Sequence, residues 1–248
     1  MEPALRVAEV PAGRGGAWLA QSFLLFRKAP FAWIGLCAGW IIVTFGLMML
    51  PLVGTPLASF LQPAFFASFA LAVRKQEGGG EPVMGDLFVG FKRNLRALVF
   101  LGAILSLLQI AILAFMVLLG LPTGNPEQAI TIVEFVEMLK GKEWILAVGF
   151  LLTALAKGAL WFAPPLLALH DLSVSHAVRW SVYAALANFG AMVVYGALSV
   201  MLFFAAMLPW GLGLLVAIPM MAISTYIGYR EVFEMEKRPV VADTTPEP

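Results

Sequence analysis

The sequence predicts an all-α, polytopic membrane helix bundle: six transmembrane helices in three hairpins, each hairpin preceded by a cytoplasmic amphipathic helix. Two observations carry this. Of 248 residues, 61% are hydrophobic and 12% charged, about half the ~25% charged content of an ordinary soluble domain, and the mean hydropathy is +0.90. The charges are also clumped, leaving Pro30 to Val73, Ala97 to Pro126 and Trp180 to Tyr229 free of any charged side chain. This composition excludes a soluble enzyme. With 16 Lys+Arg against 15 Asp+Glu there is no basic excess for nucleic acid.

A helix crossing ~30 Å of hydrocarbon needs about 20 residues, so the first and last runs each hold two spans. The first run turns back at Pro51-Leu52-Val53-Gly54-Thr55-Pro56 and the last at Pro209-Trp210-Gly211-Leu212-Gly213, where proline ends one helix and glycine permits a tight reversal. The spans fall at about 31–52, 56–74, 98–121, 144–169, 188–208 and 211–230, within one membrane domain over 1–238. Residues 239–248, rich in Pro and Thr, read as a disordered cytoplasmic tail. The first span is too long for a signal-peptide core and is expected to stay in the protein. Cys37 lies inside it without a partner cysteine and reads as a small packing residue.

Between the spans, Gly15–Arg27, Asp86–Arg96 and Ser173–Ala187 read as short amphipathic helices, the last with Ser173 as its N-cap. Each is expected to lie on the membrane surface as an elbow before its hairpin, touching anionic head groups. On the other side, Asn125-Pro126-Glu127 looks like a helix start, Ile130, Val133, Phe135, Val136 and Leu139 form a stripe, and Gly141 is the expected stop. Thirteen of the sixteen basic residues fall on one side of this topology. By the positive-inside rule both termini are cytoplasmic. Trp18, Trp33, Trp144, Trp180 and Trp210 sit near span boundaries, as an aromatic belt requires.

The first and last units read as a repeat. Pro30 to Pro51 and Asn188 to Pro209 are both 21 residues, and Pro63 and Pro219 are each followed by serine at +5 (Ser68, Ser224) and arginine at +11 (Arg74, Arg230). The offset slips from 158 to 156 across the turn. The middle unit keeps the element order with a longer outer loop, which makes three parallel units and not the inverted repeat common in secondary transporters.

The run Gly15-Gly16-Ala17-Trp18 with Ser22 to Phe26 and Pro30-Phe31-Ala32-Trp33, followed by Gly85-Asp86-Leu87-Phe88-Val89-Gly90-Phe91, resembles a group of uncharacterised proteobacterial six-helix inner-membrane proteins. It is more distantly similar to the membrane domain fused to glycerophosphoryl diester phosphodiesterases. The resemblance implies a bacterial inner-membrane location and a six-helix fold. Its motifs are structural, and it brings no catalytic residue.

Candidate chemistry is sparse. His170 and His176 are six apart, about 240° around a helix, so they face one metal only if the chain bends between them. With no Ser/His/Asp or Cys/His set and no intramembrane carboxylate pair, no catalytic residue, cofactor or metal is expected. Gly35-x-x-x-Gly39 reads as internal helix packing ahead of dimerisation.

Lys157 stands apart. It lies near the middle of the fourth span, where an ionised lysine costs about 2.5–3.5 kcal/mol, and no acidic residue occurs in any span. Gln109 on the third span reaches similar depth, its carbonyl free to accept from the ammonium, and Trp161 offers a ring face one turn on. A polar cavity is expected around Lys157, Gln109 and Trp161, helped by carbonyls freed at Pro164-Pro165; the competing reading is plain helix glue or snorkelling. Two functions follow. The first is a non-enzymatic inner-membrane protein for envelope organisation or a subunit of a membrane assembly, with membrane lipids, a membrane-protein partner or a second copy as partners. The second is a carrier or binding protein for a lipid or small anionic molecule using Lys157.

Overall fold

The computed structural model describes residues 5–122, 131–170 and 172–233, and every regular element among them is helical. The tail expected at 239–248, and the helix start expected at Asn125-Pro126, lie outside the described residues. The helices are α1 (Arg14–Phe26), α2 (Pro30–Met48), α3 (Gly54–Glu77), α4 (Leu95–Leu118), α5 (Ile132–Leu139), α6 (Glu143–Ala159), α7 (Ala163–Leu169), α8 (Val174–Ala187), α9 (Phe189–Met207) and α10 (Leu214–Phe233).

Local chemistry sets many of these ends. Pro30 starts α2, where its missing N–H costs nothing. Ser173 caps α8 by accepting from the His176 amide. Thr131 caps α5, and its amide and hydroxyl both donate to Glu134, at 2.8 and 2.9 Å, holding that carboxyl below the usual carboxylate range. Gly141, φ +77°, stands just past the end of α5 as expected. In the turn after α2, Leu52 has φ 65°, and in the turn after α9, Trp210 has φ 51°; each directly follows a proline of the repeat.

Among the described residues, five helices are long and apolar enough to cross a membrane: α2, α3, α4, the α6–α7 run Glu143–Leu169, and α9. The last predicted span, α10, forms as a 20-residue helix but is not among them. Its second half carries Ser224, Thr225, Tyr226, Tyr229, Arg230 and Glu231, and that half is largely buried against neighbouring helices.

The expected helix over Asp86–Arg96 is corrected to two 3-10 turns, Met84–Phe88 and Gly90–Lys92, ending at Asn94 with φ 42°. The apolar spacing there imitates a helix. At Gly90, however, a side chain would overlap the Ala64 backbone, so the turn presses onto α3 more closely than a helix allows.

The short elements each press one face onto the bundle, while Leu24, Phe88 and Leu186 on their other faces stay exposed. The 3-10 turns pack on α2 and α3, α8 packs on α6 and α7, and α1 packs on α9 and α10. Each therefore rests on the helix pair that precedes it in the chain, and the first rests on the last. Trp18 of α1 is fully buried, as is Trp33, whose Nε1 donates to Gln76 at 2.9 Å; neither belongs to an interfacial belt, whereas Trp144 and Trp210 are exposed. Gly15 has no room for a Cβ against the Ala191 backbone.

Ion pairs fasten two of these seats. Lys75 near the end of α3 holds Asp86 at 2.9 Å, and Glu231 near the end of α10 holds Arg14 at 2.6 Å. A third pair, Arg230 with Glu77, ties α10 to α3. At the α6–α7 break, Pro164 and Pro165 cannot donate to the helix. Ser181 of α8 staples this kink, accepting from Phe162 N at 3.1 Å and donating to Ala159 O at 2.8 Å.

Burial is uneven along the bundle. In α2 it is confined to Trp33, Leu36 and Cys37 near the helix start, and in α3 it is densest from Pro63 to Val73, near the end. The core thus gathers at the end carrying the short elements. Toward the turns at 49–53 and 208–213 large apolar side chains such as Phe45, Met49, Phe204 and Leu208 are exposed.

Candidate functional site

Where the helices part, a cavity of about 520 Å³ lies among α3, α4, α6, α7 and α10. Lys157, Gln109 and Trp161 all line it. Polar neighbours come from several helices: Ser59 and Gln62 on α3, Ser106 on α4, Thr153 on α6 and Thr225 on α10. Pro63, Phe66, Leu105, Leu108, Ile112 and Leu160 supply an apolar wall, and no carboxylate lines the cavity.

Helical spacing explains the convergence. Ser59 and Gln62 are three apart, Ser106 and Gln109 are three apart, and Thr153 and Lys157 are four apart, so each pair shares one helix face. Every member is unremarkable within its apolar segment. The pairing was the signal available in the sequence for Ser59, Gln62, Ser106 and Thr153, which the sequence reading did not single out; Thr225 has no such signal.

The hydrogen bonds differ from the arrangement expected around Lys157. Gln109 Nε2 donates to Thr153 Oγ1 at 3.5 Å, linking α4 to α6 across the cavity. That bond uses a lone pair of Thr153, whose hydroxyl proton has no acceptor among the described residues. Ser106 donates to Gly102 O at 2.8 Å and Thr225 to Met221 O at 3.2 Å, so both spend their hydroxyl protons on the backbone and keep only lone pairs to offer. Trp161 packs at a tilt into an aromatic cluster, with ring centroids 4.6 Å from Tyr195, 5.1 Å from Phe162 and 5.7 Å from Trp18. This cluster closes the cavity toward the core end. Lys157 itself is exposed, and among the described residues it makes no ion pair.

A cavity holding one cation, free amide and hydroxyl donors and no carboxylate has the chemistry of an anion acceptor. An ion brought into a low-dielectric site needs both an opposite charge and extra hydrogen bonds to offset lost hydration, and this lining offers the two together.

The histidines go separate ways. His170 Nε2 and the Tyr229 hydroxyl are 2.6 Å apart, while His176 Nδ1 lies 3.1 Å from Ser173 Oγ. Among the described residues no group of three His, Cys, Asp or Glu side chains comes together. Gly35 and Gly39 face Met84 of the first 3-10 turn.

Comparison with known proteins adds one relative. The chain is 28% identical over 234 residues to a probable inner membrane protein of Burkholderia thailandensis, covering 90% of this chain and 84% of that protein. No family model matches, and no solved structure matches. With its five apolar helices the chain is a multi-pass transmembrane protein.

Proposed function

We propose that this is a non-enzymatic binding or carrier protein of the bacterial inner membrane that holds a lipid or small anionic molecule at Lys157. The observation that carries the reading is the cavity itself: the one charge lining it is a cation, and the polar groups of four helices face it. Envelope organisation, or service as an assembly subunit, would be supported by a lack of polar lining in the other spans. Ser59, Gln62, Ser106, Gln109 and Thr225 weaken that support.

Depth favours a ligand over snorkelling. Lys157 lies 14 residues into α6, roughly 21 Å of helix at 1.5 Å per residue, and a four-carbon stem does not reach the interface from the middle of a ~30 Å layer. The non-enzymatic reading rests on a lining with hydroxyls and amides but no carboxylate, histidine or cysteine to activate them.

The reading includes six spans with both termini cytoplasmic, supported by thirteen of sixteen basic residues on that side. Reporter fusions after Lys142 and after Arg238 should read periplasmic and cytoplasmic respectively. It also includes three parallel units, supported by the proline-preceded positive φ of Leu52 and Trp210. The distant likeness to the membrane domain of glycerophosphoryl diester phosphodiesterases stays within this proposal.

Native mass spectrometry of the full chain in lipid nanodiscs tests the function. A co-purifying anionic molecule, lost in Lys157→Met while the protein stays folded, is the expected result. The same bound species on both proteins would count against Lys157, and a stoichiometric protein partner with no small molecule would return the assembly reading to first place.

A further inference from the structure

Resting on the binding reading above, the geometry points to a narrower ligand class: we infer that the cavity takes a single-chain anionic amphiphile, admitted sideways from the lipid.

The way in is lateral. Within the bundle α6 packs closely on α4 and α8, while α10 packs on α1, α2, α3 and α9. Between α6 and α10 the cavity is lined by Lys157 on one side and Thr225 on the other, and Lys157 is exposed there. Toward the core end the opening is shut. Trp161 packs at a tilt against Trp18 and Tyr195, and a Cβ at Gly228 would come within 3.1 Å of the Trp161 ring. An exposed residue at mid-span meets hydrocarbon, so what reaches Lys157 by this mouth already resides in the bilayer.

The size fits one chain. About 520 Å³ gives room for a head group and one aliphatic chain, and a second chain would have to stay outside in the lipid. Chemistry divides the space in the same way. Lys157, Thr153 and Gln109 gather the donors for an anionic head, while Phe66, Leu105 and Ile112 offer an apolar wall for the chain. A carboxylate and a phosphate monoester head both satisfy this donor set. An anion paired with Lys157 also removes the cost of a lone charge at mid-membrane, so protein and ligand each relieve the other's desolvation.

The test uses the full chain in nanodiscs of zwitterionic phosphatidylcholine, at mildly alkaline pH, with a dibrominated stearate as a heavy-atom quencher of tryptophan. Trp161→Phe assigns the signal from Trp161. The expected result is saturable quenching of Trp161 relieved by plain stearate, none from the brominated methyl ester, and binding about 10- to 100-fold weaker in Lys157→Gln. Lys157→Arg, which keeps the charge, should restore most of it. Equal protection of the cavity by inorganic phosphate and by stearate would overturn the amphiphile class and leave the anion site standing. Acid and ester binding alike, unchanged in Lys157→Gln, would overturn both. Thermal unfolding of each variant identifies a misfolded protein, and Lys157→Arg then carries the decision, since loss of binding in a folded Arg variant also overturns the proposal.

Discussion

Arg14 and Glu231 join the two ends of the described chain: Arg14 Nε and Nη2 donate to the two carboxylate oxygens at 2.6 and 2.9 Å, across 217 residues of sequence. Trp18 Nε1 donates to the same carboxylate at 2.9 Å. The contact fixes α1 on α10, and the bond to Glu231 raises the Arg14 pKa above its ordinary value. Lys75 stands in the corresponding place of the first unit, 156 residues before Glu231, and clasps Asp86 with the charges reversed.

Glu231→Ala removes the acceptor from both Arg14 and the buried Trp18 N–H. Leaving such donors unmade costs about 1–3 kcal/mol, so the thermal midpoint in detergent should fall. The exchanged pair Arg14→Glu with Glu231→Arg should recover part of the loss but not the Trp18 bond. No change in the single variant would show that the clasp is idle.

The paired turns make a second prediction. Leu52 and Trp210 are both 97% exposed and both have positive φ, a conformation that costs a non-glycine residue about 1–2 kcal/mol. Glycine gives back part of that gain through its freer unfolded chain. Leu52→Gly and Trp210→Gly should each raise stability by up to ~1 kcal/mol, and β-branched Leu52→Val should lower it. Opposite signs at the two glycine variants would break the equivalence of the turns.

The cap of α5 is pH-dependent in a known direction. Glu134 has its pKa lowered by the Thr131 amide and hydroxyl, so its contribution is present above the unfolded carboxyl pKa and is lost as pH falls through the lower folded value. Protection factors for amide hydrogen exchange in residues 132–139, taken against intrinsic rates that themselves fall on acidification, should therefore drop as pH falls, and Glu134→Gln should flatten the response.

These contacts also show how far the chain could be read in advance. Features with a local cause were legible: Pro30 starts a helix, Ser173 caps one, and Gly141 stands where α5 ends. Where local spacing and packing compete, the reading failed. Leu87, Phe88, Phe91 and Leu95 keep helical intervals, yet Gly90 against Ala64 and the left-handed Asn94 make 3-10 turns of that stretch. Non-local closure left no mark in sequence, since nothing near Trp18 tells that its ring is buried under α9 and α10. The candidate site falls between these cases. Lys157 stood out by charge alone and Gln62 was marked only by its spacing from Ser59, whereas Thr225 acquires meaning only once four helices bring polar groups to one cavity.

The most direct measurement is an experimental density map of the protein in native-lipid nanodiscs, resolved well enough to see side chains around Lys157. An anion binder predicts non-protein density in the cavity with a head group within hydrogen-bond distance, roughly 3 Å, of Lys157 Nζ, its tail along Phe66 and Leu105. A cavity filled only by water, with Lys157 turned out of it toward the interface, would contradict that claim.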